Sequence, residues 1–97
     1  MSKNDYDALN IPPAAKKEGG VEVLRAAIVG PNLAMSMRRS FDDPRPWGAL
    51  LATVAMQVAR IYADEKGLDE RVTREQIRAI FEEELRSADP GMMTVTR

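Results

Sequence analysis

Between Arg38 and Gly48 the chain gathers most of the groups that could do chemistry: Arg38, Arg39 and Arg45, the adjacent Asp42 and Asp43, and its single tryptophan, Trp47. Neighbouring carboxylates can hold a hard cation or move protons, but two aspartates supply only part of such a site, and nothing close in sequence completes it. Arginines at the start of a helix suit a phosphate, since the first N–H groups there lack partners. The aspartates at the same place would repel or neutralise that anion. Trp47, with Tyr62 further along, offers a ring on which a ligand would stack or an interface would anchor.

Composition narrows the chemistry further. The chain has no histidine and no cysteine. That removes the commonest general base, the commonest metal ligand, thiolate zinc sites and disulfides together. Ser36, Ser40, Tyr62 and Lys66 have no activating partner in view. No nucleophile elbow, phosphate loop, dinucleotide fingerprint or zinc spacing occurs. On these grounds no catalytic residue, metal or cofactor is assigned.

The elements that position these groups follow from local signals. Asp43 is a good N-cap and Pro44 a good first helical residue, because a proline there forfeits no hydrogen bond. Gly67 suits the left-handed stop. The spacing therefore predicts one long helix from Asp43 to Gly67. On its wheel Trp47, Leu50, Leu51, Val54, Val58, Ile61 and Tyr62 form a broad apolar stripe, and Gly48, Ala52, Ala55, Ala59 and Ala63 a small-residue stripe beside it. Met56 and Ala49 continue round the far side. Only Thr53, Gln57, Arg60 and Asp64 are clearly polar. A helix apolar on most sides is normally buried on most sides.

Before it, Val21–Val29 and Leu33–Arg39 predict a β-hairpin about Gly30-Pro31-Asn32, with proline second and asparagine third in the turn. Leu24, Ala26, Ile28, Leu33, Met35 and Met37 share its apolar face; Arg25 and Arg38 point outward. After it, Thr73 and Gln76 form a capping box with Val72 and Ile77 as its staple. A second helix should run from there to Asp89-Pro90-Gly91, antiparallel to the first across Leu68–Val72. Its stripe is Ile77, Ile80, Phe81, Leu85 and Ala88. Glu84 projects into that stripe and is expected to reach water at the rim. The fold class is thus α+β, a β-hairpin followed by an antiparallel helix pair (β-β-α-α), with a possible extra terminal edge strand. Residues 1–20 are expected to be largely flexible, 21–90 to form the single domain, and 91–97 to be a tail or edge strand.

In 97 residues, 44% hydrophobic and 30% charged, one small folded domain is expected, short of core and so prone to need a partner subunit. Net charge is −1. The first 41 residues carry six basic and four acidic groups and the rest eight and eleven, about +2 against −3, a polarity that favours head-to-tail contacts. The longest uncharged helical run, Pro46–Ala59, is 14 residues, against about 20 needed to cross a bilayer. No signal-peptide core follows Met1. No membrane partner is expected, and the cytoplasm is the expected location.

The motifs I-P-P-A-A at 11–15, E-V-L-R-A at 22–26, D-D-P-R-P-W-G at 42–48 and A-R-I-Y-A at 59–63 carry a resemblance. With the hairpin between them, the chain resembles a small uncharacterised proteobacterial family, a domain of unknown function. That resemblance implies little, with no activity, ligand or catalytic residue to carry over.

Three function classes follow. The first is a non-enzymatic homo-oligomeric interaction module, a dimer whose second copy covers Gly48, Ala52, Met56, Ala59 and Ala63. The second is a nucleic-acid-binding regulator of ribbon-helix-helix type reading bases through Ala34, Ser36 and Arg38; the acidic balance and the long first helix count against a nucleic-acid partner. The third is a small-ligand binder or enzyme using Trp47, Tyr62, Arg38 or Arg45.

Overall fold

A computed structural model describes residues 5–87 and 94–97. The order is α1 (Pro13–Glu18), β1 (Leu24–Val29), β2 (Asn32–Met37), α2 (Arg45–Lys66), α3 (Glu70–Ser87) and β3 (Thr94–Thr96). The class is α+β, a hairpin followed by two helices, and the possible additional strand is present as β3.

β1 and β2 pair antiparallel, with Leu24 opposite Met37, Ala26 opposite Met35 and Ile28 opposite Leu33. The apolar face predicted from the alternation is therefore the observed one. The turn is one residue earlier than expected. Val29 pairs with Asn32, so Gly30 and Pro31 alone make the loop. Gly30 takes φ +60°, which puts glycine first in a two-residue loop and leaves Asn32 in the ladder. β3 lies parallel to β2, Val95 opposite Met35, and extends the apolar face by one strand. β2 is consequently the middle strand.

α1 occupies part of the segment read as a flexible tail. Pro13 sits in its first turn and Gly19, at φ +80°, follows its last, so the proline and glycine pairs start and stop a helix instead of only interrupting the chain. Tyr6 is tied to β1: its hydroxyl accepts from Arg25 Nη1 at 3.2 Å, and the guanidinium lies 5.6 Å from the ring centre.

Both long helices start slightly away from their predicted points. α2 begins at Arg45, whose N–H donates to Asp43 Oδ1 at 2.9 Å, so Asp43 does the capping with Pro44 between. Gly67 closes the helix at φ +69°, its N–H donating to the Ala63 carbonyl at 3.1 Å. α3 begins ahead of the expected Thr73 because Asp69 caps it. Its carboxylate accepts from the Val72 N–H at 2.9 Å and its carbonyl from the Thr73 N–H at 2.9 Å. The connection shrinks to 67–69, and Thr73 moves into the body of the helix. The predicted stop at Asp89-Pro90-Gly91 lies outside the described residues.

α2 and α3 pack together, and the strands pair with each other, but among the described residues sheet and helix pair do not close on one another as two layers. Among the described residues only Ala59 and Thr73 are buried, one on each helix, and no large side chain is fully enclosed. The Cα radius of gyration is 15.5 Å, where a compact chain of this length has about 12.5 Å.

Candidate interaction surface

The reactive stretch at 38–48 is a corner that sets how α2 leaves the sheet. Ser40 takes φ +67°, uncommon for a side-chain-bearing residue. The Arg39 carbonyl then accepts two donors, the Phe41 N–H at 2.7 Å and the Trp47 indole Nε1–H at 2.7 Å. Phe41 and Trp47 meet edge-to-face, centroids 6.0 Å apart. Trp47 is half-buried, and its polar handle is spent on the backbone.

The charges of the corner pair among themselves. Arg45 is forked onto Asp43, with Nη2 at 2.6 Å from Oδ2 and Nε at 3.0 Å. Arg39 reaches Asp42 at 3.9 Å. The Arg45 guanidinium, aided by its backbone N–H, holds the Asp43 carboxyl below its ordinary value, and Arg45 is raised in turn. On β1, Arg25 forks onto Glu22 at 2.9 Å through both nitrogens and lowers that carboxyl. Arg38 is exposed at the end of β2, its N–H donating to the Val23 carbonyl at 3.2 Å. The arginines and aspartates thus form ion pairs at a helix start, the arrangement expected to disfavour an anion. Among the described residues no group of acidic side chains could hold a metal ion.

Trp47 and Tyr62 are not brought together. They stand four turns apart on α2, about 22 Å along its axis, and Tyr62 is exposed.

Each of the two stripes of α2 is only partly covered. Ala59 is 0% exposed and Ala63 half-buried, because the small-residue side receives α3. Counted from the turn, Ala63 stands level with the buried Thr73 and Ala59 with the half-buried Ile77. Small side chains let the two backbones approach, and Arg60 bridges to Glu70 at 3.4 Å. Ala59, one of the five residues expected at an interface, is thus enclosed within the single chain. Gly48, Ala52 and Met56, in the half of the helix farther from the turn, stay exposed, and a Cβ placed on Gly48 would meet nothing.

Much of the large-residue stripe, whose breadth suggested burial, lies open, although Trp47, Leu50 and Val58 are half-buried. Leu51, Val54, Ile61 and Tyr62 are all exposed along α2. α3 adds Ile80, Phe81 and Leu85, with an apolar cleft beside Gln76 and Ile77. Glu84 is exposed, as expected of a rim residue. The sheet contributes a second open apolar face, with Ile28 77% exposed at its tip and Leu33 and Val95 beside it. Periodicity marks all of these side chains except Val95 as apolar. Nothing in it could say that the chain leaves them uncovered.

The fold and its surface define a small α+β chain with two unclosed apolar half-layers. Its sequence matches the domain of unknown function DUF5076 over residues 8–89, and the chain belongs to that family. A solved structure similar to it is described as "a putative pyruvate dehydrogenase" from the photosynthetic bacterium Rhodopseudomonas palustrus CGA009. It shares 35% identity, with a TM-score of 0.76 over 94% of this chain and 95% of that one. No curated protein matches. Among the described residues no helix is long and apolar enough to cross a membrane.

Proposed function

We propose that this chain is a non-enzymatic, homo-oligomeric interaction module of the cytoplasm, a dimer in its working form. One observation carries the reading. The chain exposes 8777 Å², where a compact monomer of 10.8 kDa exposes about 5,500 Å². The excess of about 3,200 Å² per chain is well above the roughly 800 Å² each partner commits to a standard interface, and fits an obligate assembly. Much of it is apolar: Leu51, Val54, Ile61, Leu85, Ile28 and Val95 are all exposed. Patches of that extent mark interaction sites. The open part of the small-residue side, Gly48, Ala52 and Met56, adjoins this surface.

Nucleic-acid recognition finds less support. A ribbon-helix-helix dimer pairs its reading strand with that of its twin, whereas both edges of β2 are already taken by β1 and β3. The dehydrogenase description belongs to the Rhodopseudomonas protein, and no set of residues here carries it across.

Sedimentation equilibrium at micromolar concentration tests the proposal. The expected mass is twice 10.8 kDa; a strict monomer refutes it.

A further inference from the structure

We infer that the dimer is reciprocal: the apolar sheet face of each copy closes on the α2 large-residue stripe of the other, so that two chains complete two sandwiches. This rests on the self-association proposed above and adds which surfaces meet.

Each half of the chain lacks the layer that the other half could supply. A three-stranded sheet needs a second layer over its apolar face to be stable. Here Ile28, Leu33 and Val95 share that face and are exposed. An amphipathic helix pair likewise needs its stripe covered, and Leu51, Val54 and Ile61 are exposed along α2. Within one chain the two do not close. The connector 38–44 is fixed by the Ser40 backbone and by the double acceptance at the Arg39 carbonyl, which hold α2 in its direction away from the sheet. The solved Rhodopseudomonas chain superposes over 94% of this one, so the open path belongs to the fold.

Three properties favour a second copy as the occupant. The excess surface is larger than one standard interface needs, and a reciprocal arrangement buries two such contacts per dimer. The sheet half carries about +2 and the helical half about −3 by residue count, so sheet against partner helices brings opposite charges together. Sheet against sheet, or helices against helices, would not. A two-fold axis closes the assembly at two copies, with both sheet faces and both α2 stripes paired.

The absence of cysteine makes the test direct. Full-length Ile28→Cys and Val54→Cys chains are mixed, allowed to exchange, and treated with a short bis-maleimide. Groups held together by assembly see an effective concentration in the millimolar range, so linking proceeds about a thousandfold faster than by collision at micromolar concentration. The expected result is a mixed Ile28→Cys/Val54→Cys product formed at that rate, with little linking of either variant to itself. Leu33→Cys with Ile61→Cys gives a second pair should the first variants fail to fold. A dimer by sedimentation that links only Val54→Cys to itself, or only Ile28→Cys to itself, overturns the reciprocal arrangement and leaves self-association standing. A bridge within single chains of the Ile28→Cys/Val54→Cys double variant overturns it as well. A strict monomer overturns both.

Discussion

Replacing Ala59 by leucine separates the two uses open to the small-residue side of α2. Ala59 is 0% exposed and stands level with Ile77 across the helix pair. An isobutyl group there must push α3 outward or adopt a strained rotamer, and overpacking of this kind costs about 1–3 kcal/mol. For a domain of this size 1 kcal/mol moves Tm by about 4–8 °C, so a fall of roughly 10 °C is expected. The control is Ala52→Leu on the same stripe, where the side chain is exposed and a surface change is worth within about 0.5 kcal/mol. Thermal melts followed by circular dichroism, run over a range of protein concentrations, read both effects. Strain inside one chain lowers Tm at every concentration, whereas a weakened interface lowers it most in dilute samples. The reasoning fails if Ala59→Leu leaves the concentrated Tm unchanged while raising the dimer dissociation constant. The stripe would then meet another chain, as its sequence alone suggested.

Two further outcomes follow from the corner and its ion pairs. Trp47→Phe keeps the ring contact with Phe41 but removes the donor at 2.7 Å from the Arg39 carbonyl, for an expected loss of about 1 kcal/mol, read as a lower urea midpoint by circular dichroism. The Asp43 and Glu22 carboxyls are held below their ordinary values by Arg45 and Arg25. A carboxyl depressed in the folded state adds stability that is full above its unfolded pKa and is lost as pH falls through the folded one. The urea midpoint at low salt should therefore stay level above about pH 5 and decline below about pH 4. The decline should be small for groups this exposed and shallower in Asp43→Asn; no difference between the two proteins would refute the assignment.

The sequence disclosed the elements well and their assembly poorly, for identifiable reasons. Alternation from Leu33 to Met37 fixed which face of the hairpin is apolar, because a strand has only two faces. It could not choose the register, since a two-residue and a four-residue loop give the same face, and the left-handed φ of Gly30 goes with the two-residue loop. Gly67 was legible because only a left-handed residue ends a helix in that way. Thr73 was misjudged as a cap because its capping-box pattern is sound locally, while Asp69 offers an earlier cap with a shorter connection. The corner left even less trace. A serine at positive φ has no sequence signature, and a carbonyl with two donors belongs to geometry alone. For α2 the wheel displayed both stripes correctly but not their tenants. Which one takes α3 depends on how closely two backbones can approach, and alanines at 55, 59 and 63 allow the closer contact.

The doubly engaged Arg39 carbonyl makes the corner the fulcrum of a long lever. α2 has 22 residues, about 33 Å of rigid arm, so a swing of roughly ten degrees at that oxygen carries its far end about 6 Å, more than one helical turn. The same swing carries Ile61 and Tyr62 by about 4 Å, enough to put them out of step with any sheet laid against them. Angular precision at one backbone oxygen thus governs the alignment of side chains about 25 Å away, and loosening it would blur recognition before it unfolded any single element.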